Sequence, residues 1–279
     1  SATTIELGVG DNHWVTGGGF SCDGPLTATG LRVMDTTVSE LSYASNGNAV
    51  YGAGLYLGGG ASGTIEGFEV SRNAVRGLGG LEVNGVGIAD AFNGGFTLSQ
   101  GIIADNSATT DGASMRGYGG GVRTTGRISA YENVSVVGNS FSCPACAASV
   151  YGGGIWSYSG FSATNLEVSG NSLVGSANTA GAAIQAGSTV SDVWDIDGLI
   201  VAGNTADAGS GVSWATVVFS FGTATLRNAD LVGNVANGST SYGGALLAMA
   251  STVAESSPPD RSTTAFFIIN ALERCATAA

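Results

Sequence analysis

The 279-residue chain has no lysine, one histidine, four prolines and four cysteines, and nowhere a run of some 18 apolar residues. Each shortage removes a class of protein. Nine arginines against 21 acidic residues leave a net charge of −12, which repels nucleic acid and anionic membrane surfaces. No segment is long and apolar enough to cross a bilayer as a helix; an apolar run such as Ala265 to Ile269 is the length of a strand. Without lysine there is no amine to act as a catalytic base, and the single histidine, His13, precedes the repeats described below. Glycine is abundant, at 47 residues, yet 43% hydrophobic residues and a positive mean hydropathy supply material for a packed core rather than a disordered chain.

What is present is periodic. Asn46, Asn73, Asn106, Asn139, Asn171, Asn204, Asn234 and Asn270 are separated by 27, 33, 33, 32, 33, 30 and 36 residues. Most follow apolar residues five and three positions earlier, as in Phe68-Glu-Val70-Ser-Arg-Asn73 and Leu166-Glu-Val168-Ser-Gly-Asn171, and apolar residues two apart indicate a strand. A second beat alternates with the first: a small-residue cluster followed by an apolar residue, at Gly52 to Leu55, Gly85 to Ile88, Gly119 to Val122, Gly152 to Ile155, Gly181 to Ile184, Gly209 to Val212 and Gly243 to Leu247. A weaker strand signal precedes each asparagine strand, for example Phe96-Thr-Leu98 and Val193-Trp-Asp-Ile196.

Three short strands per repeat of about thirty residues predict an all-β, single-stranded parallel β-helix of about seven to eight coils. In such a solenoid equivalent positions stack about 4.8 Å apart and form ladders. Asparagine at a bend tolerates a left-handed backbone and bonds to turn amides or stack neighbours, and glycine permits turns and close approach. The expected organisation is one domain over 1–279, with an N-terminal strand or cap segment at 1–30, repeats at 31–270 and an end segment at 271–279. The connection between each asparagine and the next glycine cluster varies in length and reads as the recognition edge.

The two beats resemble the GGA(I/L/V) and FxxN repeats of the polymorphic outer membrane proteins, bacterial surface β-helices. Gly243-Gly244-Ala245-Leu246 and Phe267-Ile268-Ile269-Asn270 match literally, other copies are relaxed, and the likeness covers roughly residues 31 to 270. It implies a right-handed β-helix exported to the cell surface and used in adhesion or as a scaffold. Ser1 opens the sequence without an initiator Met, which reads as a mature chain after signal-peptide removal.

β-Helices also carry polysaccharide lyases and glycosidases, whose sites need a proton-transfer pair or a metal cluster. The best acidic constellation is Asp192-Val-Trp-Asp195-Ile-Asp197, with Asp195 and Asp197 on one strand face and Trp194 and Ile196 on the other. Such alternation is also that of any half-buried strand, so no catalytic residue is assigned. Calcium solenoids repeat an Asp on every turn, whereas the residue before the ladder asparagine reads Ser45, Arg72, Asp105, Gly138, Gly170, Gly203 and Gly233; no metal or cofactor is expected. An ice-binding face needs threonine pairs in register, and Thr36-Thr37, Thr109-Thr110 and Thr124-Thr125 are not.

Tyr118, Tyr151, Trp156, Tyr158, Trp214 and Tyr242 flank the glycine clusters, either as strand packing or as a carbohydrate-contacting stripe. Asn133-Val-Ser135 and Asn237-Gly-Ser239 fit the N-glycosylation pattern. Four cysteines in an exported chain suggest two disulfides. Cys143 and Cys146 fit a local bridge. Cys22, ahead of the first coil, and Cys275, past the last, stand too far apart along a linear stack for the ~7 Å disulfide limit and fit a bridge between molecules stacked head to tail. Open solenoid ends template further strands, and a contact of this kind that does not close makes a filament.

The sequence therefore reads as an extracellular, bacterial-surface structural or adhesive protein that assembles head to tail. A carbohydrate-active β-helix and a monomeric glycan- or surface-binding adhesin are the alternatives.

Overall fold

The computed structural model describes residues 3–7, 14–40, 48–77, 80–90, 95–110, 114–125, 127–143, 149–187, 192–219, 222–242, 246–248 and 252–256. The elements among them are all strands, and their pairing is parallel throughout. The chain winds through four sheets in a fixed order, adding one strand to each per turn. Sheet one runs from Thr3–Leu7 through Ala74–Gly77 to Val235–Asn237, sheet two from Trp14–Thr16 through Leu81–Asn84 to Thr240–Tyr242, and sheet three from Phe20–Cys22 through Ile88–Asp90 to Leu246–Ala248. Sheet four begins as Leu26–Thr29 and Arg32–Met34 and ends at Thr252–Ser256. Sheets one, two and three each hold eight strands, one per turn.

The three-strand coil of the sequence reading thus becomes a four-sheet coil. Sheets one and two lie inside what reads as a variable connection, because strands such as Ser107–Thr110 (SATT) and Met115–Tyr118 (MRGY) lack alternating large apolar residues. Conversely, the weak strand and the asparagine strand fuse into one piece in Gly95–Ala104. Its bend lies at Gln100, and the stacked equivalents Gly30, Gly67, Asn133, Asn165, Gly198 and Asn228 all share its positive φ, between 50° and 74°. Left-handed backbone favours Gly and Asn, which accounts for the residue types along that ladder.

The asparagine ladder is continuous from Asn73 to Asn234. Asn106 Oδ1 accepts from the backbone N of Asn73 (3.1 Å) and from its Nδ2 (2.9 Å), while Asn106 Nδ2 donates to Val70 O at 3.0 Å and to Asn139 Oδ1 at 2.9 Å. Asn139, Asn171, Asn204 and Asn234 repeat the arrangement. Asn73 to Asn204 are fully buried, so each amide is satisfied by its neighbours alone. The left-handed residue is not the asparagine but the one before it: Asp35, Arg72, Asp105, Gly138, Gly170, Gly203 and Gly233 have positive φ. One turn before Asn73 the ladder position belongs to Thr36, whose backbone N donates to Asn73 Oδ1; Asn46 and Asn270 lie outside the described residues.

Across the interior the glycine corner between sheets two and three approaches this ladder and divides the core into two columns. One is built on sheets three and four, with Ile65, Leu98, Leu166 and Trp194; the other on sheets one and two, with Val38, Val83, Phe141 and Leu173. The corner is shifted in one turn. Val212 stands in sheet two between Asn178 and Thr240, so Gly209 to Val212 is not a corner; Val217 takes the position of Ile184, next to the buried Ala215 and Thr216.

Candidate functional site

The glycine corner presents a face to solvent as well as to the core. The last residue of each sheet-two strand and the middle residue of each sheet-three strand point outward on either side of the corner, since their neighbours Val50, Val83, Val150, Leu55, Ile88 and Ile155 are core. The flanks read Tyr51 and Tyr56, Asn84 and Ala89, Tyr118 and Arg123, Tyr151 and Trp156, Ala180 and Gln185. This gives the corner a line of rings. Tyr118 contacts Tyr151 at 5.8 Å and Trp156 at 5.1 Å, Trp156 contacts Tyr158 at 6.0 Å, and Tyr51 contacts Tyr56 at 6.3 Å. Further along, Trp214 stacks on Tyr242 at 4.8 Å and, with Tyr151, packs against a small separate cluster of the buried residues Ala180, Ala215 and Val218.

All six aromatics named from the sequence are therefore outside the core, and Tyr158 and Tyr242 are about half exposed. The sequence reading missed Tyr51, Tyr56, Asn84 and Arg123. The signal that finds them is positional: the residue before each glycine cluster and the residue after its apolar position, as in Tyr51-Gly-Ala-Gly-Leu-Tyr56 and Tyr151-Gly-Gly-Gly-Ile-Trp156.

Arg123 lies within this row. Its guanidinium stands 5.4 Å from the Tyr51 ring and 5.5 Å from the Trp156 ring, a cation–π clamp. Burial draws it below its ordinary pKa, offset in part by Tyr51 and Glu82. Burial likewise raises the phenols of Tyr51, Tyr56 and Tyr118, with nearby acidic groups adding to it. Asn84 Nδ2 donates to Glu82 Oε1 at 2.9 Å.

Elsewhere, Asp195 and Asp197 do share an outward face, with Trp194 and Ile196 buried on the other. Both carboxylates face Arg227: Asp195 bonds it directly, Asp197 is 3.8 Å from its Nε, and Asn228 Nδ2 donates to Asp197 at 2.7 Å. A third carboxyl, Asp90, points into the core from the end of a sheet-three strand and accepts from Thr124 Oγ1 at 2.8 Å; burial pushes its pKa up to about 6 against that hydrogen bond. Among the described residues no group of three or more His, Cys, Asp or Glu is arranged to hold a metal ion, and no helix is long and apolar enough to cross a membrane.

Cys143 is fully buried and disulfide-bonded; Cys146 and Cys275 lie outside the described residues, as does His13. Cys22 is not ahead of the first coil but in its sheet-three strand, as a half-buried free thiol whose Sγ donates to Gly24 O at 3.2 Å.

Fold and corner together define a parallel β-solenoid with an aromatic outer edge. No family model, curated protein or solved structure matches the chain.

Proposed function

We propose that the protein is an exported structural and adhesive solenoid of the bacterial cell surface that holds saccharide chains along its aromatic corner. The observation that carries this reading is the row of tyrosine and tryptophan rings left outside a core that has apolar residues enough without them. Ring faces spaced along a rigid edge suit the apolar faces of successive sugar units. Handedness follows the strong right-handed preference of parallel crossovers, and a Cys143 to Cys146 bridge would close the loop between sheets one and two. Affinity electrophoresis of the protein in gels containing neutral polysaccharides tests the reading: retardation that Tyr118→Ala and Trp156→Ala abolish supports it, and unretarded migration in every gel rejects it.

Head-to-tail assembly is a second reading, supported by the one-way stacking of equivalent turns, each of which offers to the next the strand edges it receives from the one before. A Cys22 to Cys275 bridge between successive copies belongs to this reading. Electron microscopy with and without reductant tests it; isolated rods in every condition would remove it. The carbohydrate-active alternative requires Asp195 or Asp197 to act despite Arg227, and turnover of a glycan that Asp195→Asn or Asp197→Asn abolishes would establish it.

A further inference from the structure

The aromatic row is broken at two turns, by Asn84 with Ala89 and by Ala180 with Gln185, and the first of these gaps lies between two ring-bearing turns. Where the neighbouring turns carry Tyr51 with Tyr56 and Tyr118 with Arg123, the turn between them carries Asn84 with Ala89. Arg123 reaches back over this gap to Tyr51, and Ala89 is fully covered although it faces outward. Two polar atoms in this notch have no hydrogen-bond partner: Asn84 Oδ1, on a side chain with no exposed surface, and Arg123 Nε. Among the described residues Arg123 makes no ion pair. Buried acceptors and donors are costly to leave unmade, and the bond from Asn84 Nδ2 to Glu82 fixes which way the amide faces.

An acceptor and a forked donor side by side, next to ring faces, match two adjacent hydroxyl groups on a sugar ring, one giving and one receiving a hydrogen bond. A guanidinium held by ring faces alone is re-aimed by rotation about its own side-chain bonds. Glu82 beside it and the net charge of −12 oppose a carboxylate or sulfate. We infer that this notch is the specificity subsite of the corner and takes a neutral pyranose through two vicinal hydroxyls, one donating to Asn84 Oδ1 and one accepting from Arg123, with the sugar face against Trp156. The inference rests on the saccharide-binding reading of the corner.

The test is isothermal titration of the full chain and its variants with a soluble neutral glucan, a neutral mannan and polygalacturonate, with thermal melts to verify folding. At least one neutral polymer is expected to bind and polygalacturonate not to. Arg123→Gln is expected to weaken that binding about tenfold, in keeping with loss of a charge-assisted hydrogen bond, and Trp156→Ala to abolish it. Should Arg123→Gln fail to fold, Arg123→Lys, which keeps the charge but not the planar fork, is expected to show a similar loss. Preference for polygalacturonate, or unchanged binding in the folded arginine variant while Trp156→Ala loses it, would overturn the subsite and leave the corner reading standing. Binding of none of the three polymers would overturn both.

Discussion

A β-carbon built on Gly54 would fall 2.7 Å from Asn73 Nδ2, closer than side-chain carbons come. The same relationship joins Gly87 to Asn106, Gly121 to Asn139 and Gly154 to Asn171, at 2.9, 3.0 and 3.1 Å. The two beats in the sequence are thus two sides of one contact. Each asparagine needs its amide in the ladder, and the residue opposite must be small enough to leave it there.

Asn139→Ala removes an acceptor shared by two donors of Asn106 and leaves Ile103 O and Asn171 Oδ1 short of a partner. Several buried groups lose bonds together, so a loss of roughly 3–5 kcal/mol is expected, read as a fall in the urea midpoint.

Glycines with different surroundings separate close packing from backbone preference. Gly121→Ala puts a methyl 2.7 Å from Gly154 O and Val136 Cγ1 and is expected to cost about 2–3 kcal/mol or more. Gly67→Ala meets nothing nearer than 3.8 Å but must hold φ at 61°, which costs about 1–2 kcal/mol. Equal midpoints for the two variants would contradict this.

Asp90 supplies a pH signature. Its folded pKa of about 6 lies above the unfolded value of 3.8, so the folded state binds the proton more tightly; the stability this contributes is present below pH 4 and is lost as pH rises through 6. Asp90→Asn is therefore expected to stabilise the protein at pH 7.5 by about 2–3 kcal/mol relative to its effect at pH 3.5. Denaturant melts at both pH values check it, and a pH-independent effect counts against it.

Tyr131 is fully buried with its hydroxyl unpartnered, and its ring packs edge-on against Phe161 at 5.2 Å. Tyr131→Phe keeps the ring contact and removes the orphan hydroxyl, so a gain of about 1 kcal/mol is expected. A lower thermal midpoint would show that the hydroxyl has a partner in solution.

How far the sequence discloses this architecture depends on how irreplaceable each position is. The ladder is legible because a buried amide that both accepts twice and donates twice has no substitute of the same size. Its first member is harder to read: Thr36 fills the position with a backbone N–H bonded to Asn73, and no asparagine marks it. Sheets one and two escape notice because their outward residues, such as Ser107, Ser140 and Ser172, are small and polar while the inward ones are single residues like Ala108, Phe141 and Leu173. Six rings of the corner can be named from the sequence as flanking glycine clusters. That Tyr51, Arg123 and Trp156 meet across three different turns depends on Asn84 and Ala89 being small, a relation visible only once the turns are stacked.

The asparagine column also gives the molecule a direction. Every Oδ1 from Asn73 to Asn234 is turned toward the preceding turn, and every Nδ2 from Asn73 to Asn204 donates to the turn that follows. The amide dipoles therefore align along the axis like arrows nose to tail. The column is thus electrically polar, with its acceptor side toward the N-terminal turns and its donor side toward the C-terminal ones, and the rod is not interchangeable end for end.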